Sequence, residues 1–275
     1  MKTINDVFVL HNGVEIPVIG FGTWQIPDGK IAYDSVLFAL KAGYRHIDTA
    51  LAYGNEKSVG RAVRDSGIDR SEIFITSKLP AEIKSYDKAL KKYKETVSNL
   101  DLGYIDLYLI HAPWPWSEKG ADYTKENIEV WRAMEEIYKG KNCRAVGVSN
   151  FNVADMKAIL DVCTIKPMVN QIKYYIGYTE DDITEFCKSN NVLVEGYSPL
   201  ATGRILANRD IDLLAKKYNR TLPQICIRYL IQNEVLPLPK SVTPERIKEN
   251  LFVDFEITKE DMNYLDSLKE TVKWQ

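Results

Sequence analysis

Short apolar runs recur along the 275-residue chain, and between them lie longer stretches whose apolar residues return every three or four positions. The runs read as strands at 18–21, 44–48, 73–77, 105–110, 145–148, 168–170, 192–197 and 235–238. The longer stretches read as amphipathic helices, among them 31–42, 87–100 and 128–138, the last with Ile128, Trp131, Met134 and Ile137 on one face. A final helix is expected at 261–268. Ahead of this alternation, two apolar runs at 7–10 and 14–16 flank Asn12-Gly13, the strongest short signal for a β-hairpin. Eight strand–helix units in sequence imply a parallel sheet covered by helices. The expected fold is α/β: a (β/α)8 TIM barrel with an N-terminal hairpin cap, the alternative being a doubly wound open sheet. A barrel of about 250 residues would use nearly the whole chain. No linker, repeat or low-complexity run divides it, so one domain over 1–275 is expected.

In such a barrel, chemistry is done where the strands end. The second strand ends on Asp48, Tyr53 follows in the next loop, and Asn55 is placed to cap a helix beginning near Glu56. The third strand runs into Lys78 and the fourth into His111. Alone, a lysine closing a strand reads as a solvated end and a lone histidine as structural. Together they gain meaning, because barrel closure converges the ends of strands two, three and four. His46 reads as structural. Other strand ends are polar or glycine-rich: Gly20-Phe21-Gly22-Thr23-Trp24, Ser149-Asn150, Asn170-Gln171 and Tyr197-Ser198-Pro199-Leu200. Gly20 and Gly22 form only a fragment of a dinucleotide fingerprint, which favours a tight turn there. After the last strand, Thr243 as N-cap and Pro244 in the first helical position mark a helix start suited to an anion, with Lys240, Ser241 and Arg246 beside it.

The stretch from Gly43 to Gly60 resembles the aldo-keto reductase family in Gly43, Tyr44, Arg45, Asp48, Ala50, Tyr53, Glu56 and Gly60, at the family's spacing. A second long match runs from Leu238 to Asn250, and the resemblance extends over essentially the whole chain, which is similar to the bacterial short-tailed members of the 2,5-diketo-D-gluconate reductase and prostaglandin F synthase kind. It implies a catalytic tetrad of Asp48, Tyr53, Lys78 and His111, and carbonyl reduction with NADPH, NADH serving less well. Tyr53 would donate the proton. A free phenol titrates at about 10, so Lys78 would bring Tyr53 down, with Asp48 holding Lys78 and a neutral His111 orienting the carbonyl. Gly22 and Thr23 would lie beside the nicotinamide and Trp24 on the substrate side. Ser149, Asn150 and Gln171 would bind the carboxamide, Tyr197 would stack on the ring, and Ser198 and Leu200 would approach the pyrophosphate. Lys240, Ser241, Val242, Thr243 and Arg246 would form the 2′-phosphate site, with Glu249 and Asn250 at the adenine. The substrate would meet Trp24, Tyr53, His111 and Trp114. The chain departs from the family after His111, where Ala112-Pro113-Trp114-Pro115-Trp116 displaces the usual tryptophan, and after Gln171, where Lys173, Tyr175, Ile176 and Gly177 replace the common residues. The short C-terminal tail implies an open pocket, over which Trp274 is a candidate to fold.

Composition narrows the rivals. A net charge of −2 favours neither nucleic acid nor an anionic membrane as partner. No apolar run approaches the roughly 20 residues of a membrane span, and no signal-peptide core opens the chain. The four cysteines are scattered, which reads as buried thiols of a cytoplasmic protein. With three histidines and no His-Glu-x-x-His, no metal site is expected, and Gly-x-Ser-x-Gly is absent. The expected partner is a small-molecule carbonyl, and the expected state a monomer. The alternatives are a cofactor-binding sensor on the same barrel and a metal-dependent barrel hydrolase or isomerase.

Overall fold

The computed structural model describes residues 2–272, so Trp274 lies outside the described residues. Strands β1 (Val7–Val9) and β2 (Glu15–Pro17) form the expected antiparallel hairpin, Phe8 opposite Ile16. Asn12 shapes the turn by accepting from the Val14 N–H at 3.1 Å, and Gly13 takes φ 84°, where a Cβ would be strained.

The barrel then follows in order: β3 (Phe21–Gly22), α1 (Lys30–Ala42), β4 (His46–Asp48), α2 (Glu56–Asp65), β5 (Phe74–Leu79), α3 (Tyr86–Leu100) and β6 (Ile105–Ile110). Next come α4 (Thr124–Lys139), β7 (Cys143–Ser149), α5 (Val153–Leu160), β8 (Val169–Lys173), α6 (Asp181–Ser189) and β9 (Leu193–Tyr197). Helices α7 (Arg209–Lys217) and α8 (Leu222–Gln232), strand β10 (Val235–Leu238), and helices α9 (Pro244–Glu249) and α10 (Lys259–Ser267) complete it. Strands β3 to β10 lie in one eight-stranded sheet in sequence order, every neighbour parallel. The first and last strands also meet: the Gly20 and Gly22 N–H groups donate to the Pro237 and Pro239 carbonyls, each at 3.0 Å. That junction decides between the two expected folds, because an open sheet leaves its edges unbonded.

The helices bury the faces their periodicity foretold. Of the face expected in α4, Trp131, Met134 and Ile137 are buried against the sheet and Ile128 is half-buried, Val130 being buried as well; Trp131 Nε1 donates to the Ile165 carbonyl at 3.0 Å. Helices α2 and α3 pack so closely that a Cβ on Gly60 would stand 1.9 Å from the Leu100 carbonyl oxygen. Only glycine allows that approach of the two helices. At the far rim, the buried Asp106 is satisfied by Arg70 and Arg144, each at 2.7 Å, and by the Ile75 N–H. This cluster knits β5, β6 and β7 at the end away from His111.

Some strand bounds differ from expectation. The first strand is reduced to Phe21–Gly22, because only isolated bonds tie the residues before it to the sheet. Strands β5 and β8 run further than their apolar stretches, so Lys78 and Gln171 sit inside strands instead of just past them. Polar residues are tolerated there because they are buried with partners: Lys78 and Gln171 both donate to the Asp48 carboxylate.

Candidate active site

Asp48 is the last residue of β4, and Lys78 lies in β5 beside it. The Lys78 ammonium stands 2.7 Å from both Asp48 carboxylate oxygens, 2.9 Å from the Thr49 carbonyl and 3.4 Å from the Tyr53 hydroxyl. Lys78 is fully buried, so it is not the solvated end that a lysine closing a strand suggests when taken alone. Tyr53 comes from a single 3-10 turn, Leu51–Tyr53, which Gly54 closes at φ 71°. His111 follows β6, its ring edge-on to Tyr53 with centroids 5.5 Å apart. Neither ring nitrogen of His111 makes a hydrogen bond among the described residues, and Nδ1 is buried. His46 is structural: buried, with Nε2 2.9 Å from Thr76 Oγ1.

The four residues expected to meet do meet, and the loop bearing Tyr53 is held firmly. Asn55 was expected to cap α2, but its side chain makes no capping bond. It is buried under the loop, donating to the Thr23 and Ile26 carbonyls at 3.1 and 3.0 Å and accepting from Thr49 Oγ1 at 2.7 Å. Buried backbone carbonyls need donors more than this helix needs a cap. Glu56 at the helix start is likewise turned inward, accepting from Ser77 and Asn99.

Burial pushes the Tyr53 phenol up, and Lys78 pulls it back only in part. The pull from Lys78 has the expected sign, but desolvation outweighs it, a quantity no strand pattern reveals. Burial alone would push the Lys78 ammonium down. Asp48 first, then Tyr53, reverse that and hold it above its ordinary value. Burial, and the Lys78 charge after it, drive His111 down to about 3, so its imidazole is neutral at neutral pH.

Around this centre stand the other strand ends. Thr23 is buried, its hydroxyl 2.9 Å from the Asp48 carbonyl, and a Cβ on Gly22 would press on the Leu238 carbonyl at 3.3 Å. Trp24 is 47% exposed at the mouth. Ser149 Oγ donates to the Gln171 carbonyl at 2.8 Å. Asn150, at φ 62°, donates to the His111 carbonyl at 3.0 Å and accepts from the Tyr197 hydroxyl at 2.8 Å. Ser198 also takes a positive φ, 53°, as the chain turns out of β9 towards Leu200. Trp116, not Trp114, stands against His111, at 5.4 Å between ring centroids, and Trp114 packs behind it at 5.2 Å. On the facing loop, Tyr175 stacks on Tyr178 at 5.4 Å and the Lys173 ammonium lies 4.8 Å from the Tyr178 ring centre.

Beyond β10, Lys240 and Arg246 are exposed and form no ion pair among the described residues. Val242 is exposed beside them. Thr243 occupies the N-cap position of α9 without a side-chain cap; instead Ser241 Oγ accepts from its N–H at 3.1 Å. Glu249 is exposed and Asn250 buried at the end of that helix. Among the described residues no group of three or more His, Cys, Asp or Glu is assembled as for a metal ion.

One buried residue escaped the reading of the strand ends. Glu195, inside β9, accepts from Gln171 Nε2 at 2.8 Å, and the same nitrogen donates to Asp48 Oδ2 at 2.9 Å. A carboxylate interrupting an apolar strand was the available signal.

A closed β/α barrel whose rim holds an ion-paired lysine against a phenol, with a neutral imidazole beside it, is built for acid–base chemistry on a small bound molecule. The chain belongs to the aldo/keto reductase family, which it matches over residues 18–270, and it is therefore an oxidoreductase. Members of this family work with NADP(H). It is 40% identical over 269 residues to the glyoxal reductase of Bacillus subtilis (strain 168), covering 98% of this chain and 94% of the relative. Its fold superposes with a TM-score of 0.90 on an aldo-keto reductase enzyme from a Medee basin deep-sea metagenome library, at 41% identity over 98% of this chain and 97% of that one. The Bombyx mori aldo-keto reductase, solved in complex with NADP, superposes at 0.88 with 29% identity over 99% of this chain and 95% of that one.

Proposed function

We propose that this chain, as a single barrel domain, reduces small aldehydes and ketones to alcohols with NADPH. The observation that carries the reading is the fully buried Lys78, held between both Asp48 oxygens and the Tyr53 hydroxyl. An ammonium so placed favours negative charge on the phenol oxygen once its proton has left. Tyr53 gives its proton to the carbonyl oxygen, Asp48 keeps Lys78 in position, and neutral His111 orients the carbonyl by a hydrogen bond. NADPH supplies the hydride when bound. Trp24, Trp114 and Trp116 line the approach for the substrate.

The rim also fits that cofactor. Ser149, Asn150 and Gln171 offer amide and hydroxyl groups beside the tetrad for a carboxamide, and Tyr197 offers a ring face. Gly22 and Thr23 lie on the other flank, and Ser198 and Leu200 extend the surface outwards. Lys240 and Arg246, cations without ion pairs among the described residues, stand with Ser241, Val242 and Thr243 where a 2′-phosphate would be held, and Glu249 and Asn250 lie beyond for the adenine. The cysteines among the described residues are unpaired thiols, in keeping with action in the cytoplasm; the state we propose is a monomer.

The test is NADPH oxidation, followed by absorbance, with methylglyoxal as a small aldehyde. Turnover proportional to enzyme and aldehyde supports the reading; NADPH binding without oxidation would favour a cofactor sensor. A second expected result concerns cofactor choice. Arg246→Ala should weaken NADPH about tenfold or more while leaving NADH nearly unchanged, the loss typical of one charged hydrogen bond. Fluorescence titration measures both, and an equal loss for the two cofactors would contradict the phosphate assignment.

A further inference from the structure

Glu195 pairs across the sheet with Gln171 on one side and Leu236 on the other. A Cβ on its neighbour Gly196 would collide with the Leu230 side chain of α8 at 2.6 Å, so that position faces outwards and Glu195 faces the barrel interior. Its carboxyl group is fully buried. Oε2 accepts from Gln171 Nε2, whereas Oε1 has no hydrogen-bond partner. A primary amide nitrogen has two protons to give. Those of Gln171 go to Glu195 at 2.8 Å and Asp48 at 2.9 Å. The amide is thereby fixed in one orientation, and its Oε1 is left as the atom of Gln171 without a hydrogen bond among the described residues.

We infer that Glu195 is a positioning residue of this site: together with Asp48 it pins the Gln171 amide nitrogen, so that Gln171 presents its carbonyl oxygen to the amide N–H of a bound nicotinamide. The inference rests on the NADPH reading above. It also gives the tetrad a second, titratable neighbour. Burial, then the Asp48 charge, push the Glu195 carboxyl up to about 8, with Gln171 and Lys78 acting the other way. The charged groups that bear on it are Asp48 from β4 and Lys78 from β5; β10 contributes apolar residues and proline only. At neutral pH, Glu195 thus accepts from Gln171 as an uncharged acid. Above about pH 8 it places a second negative charge beside Asp48. With its folded value raised from 4.5, Glu195 contributes stability that is complete below 4.5 and is lost as pH rises through about 8.

The test uses the wild-type protein, Glu195→Gln, which keeps an uncharged acceptor, and Glu195→Val, which removes it. NADPH affinity, by fluorescence titration at pH 6.5, should stay within about twofold for Glu195→Gln and fall about tenfold for Glu195→Val. The pH profile of kcat/KM with methylglyoxal should show an ionisation near 8 in the wild type that is missing in Glu195→Gln. Thermal unfolding should show the two proteins drawing apart as pH rises from 5.5 to 9, with Glu195→Gln the more stable at the alkaline end. A Glu195→Val protein that binds NADPH like the wild type, or a Glu195→Gln profile unchanged on its alkaline side, would overturn the inference while leaving the reductase reading intact. A wild type that neither binds NADPH nor oxidises it would instead overturn that reading and this inference with it. Should Glu195→Val fail to fold, the Glu195→Gln profile decides alone.

Discussion

Lys78→Met should lower kcat for carbonyl reduction by about a thousandfold, within the range for removing an acid–base partner. The same change should destabilise the fold by about 3–5 kcal/mol, the usual result of breaking a buried ion pair from one side. Both effects have one cause. Lys78 is fully buried and its ammonium satisfies two carboxylate oxygens and a backbone carbonyl before it reaches the phenol. Methionine fills similar volume but leaves Asp48 without its cation and Tyr53 with burial and the Asp48 charge, both of which push the phenol up. Denaturant unfolding measures the first loss. The pH–rate profile of the protein that remains folded measures the second, and an unaltered profile would count against the tuning of Tyr53 by Lys78.

Tyr53→Phe should remove activity while sparing structure. The substitution deletes one hydroxyl whose contact with Lys78 is long, 3.4 Å, and keeps the ring that meets His111 edge-on. Stability should change by less than about 1 kcal/mol, the scale of one weak hydrogen bond. NADPH affinity should stay within twofold, because none of the groups proposed to hold the cofactor is touched. Reduction of methylglyoxal should fall by at least about a hundredfold to ten-thousandfold, the contribution of a positioned proton donor. Turnover retained at the wild-type level would remove Tyr53 from the acid role.

These two experiments separate groups that the sequence presented on equal terms. The barrel itself was legible, because each strand carries a short apolar run and each helix a periodic face, both local properties. The convergence of Asp48, Lys78 and His111 was legible too, since barrel closure brings successive strand ends together whatever the loops do. What stayed hidden were the side chains whose partners lie far along the chain. Taken alone Lys78 looks like a solvated strand end, because its counter-ion is 30 residues away and only the family resemblance pairs it with Asp48; the link from Gln171 to Asp48 spans 123. Asn55 looked like a helix cap because helix starts favour that residue type; in the fold two buried carbonyls of an earlier loop claim its amide. The exchange of Trp116 for Trp114 beside His111 has a similar origin. Two prolines set the path of that loop, and which ring turns inward depends on tertiary packing. Glu195 lies inside its strand and not at the end where the chemistry is expected, though a carboxylate within Leu193-Val194-Glu195-Gly196-Tyr197 needs an inward-facing partner as much as Lys78 does.

The net rise of the Tyr53 phenol also bears on mechanism. In the proposed reaction, a donor kept protonated by burial would hold its proton until a substrate oxygen arrives, and Lys78 would then lower the cost of losing it. Neutral His111 would complement this, since an imidazole held down at about 3 would orient the carbonyl without competing as a cation for Asp48.

In the proposed reaction a hydride passes from NADPH to a carbonyl carbon while Tyr53 protonates the oxygen. NADPH deuterated at both C4 positions, given to the wild-type protein with methylglyoxal, follows that transfer, the product being read by mass spectrometry. One deuterium on the new carbinol carbon per NADPH consumed is expected. Alcohol formed without deuterium, or deuterated NADPH left unconsumed beside the aldehyde, would contradict it.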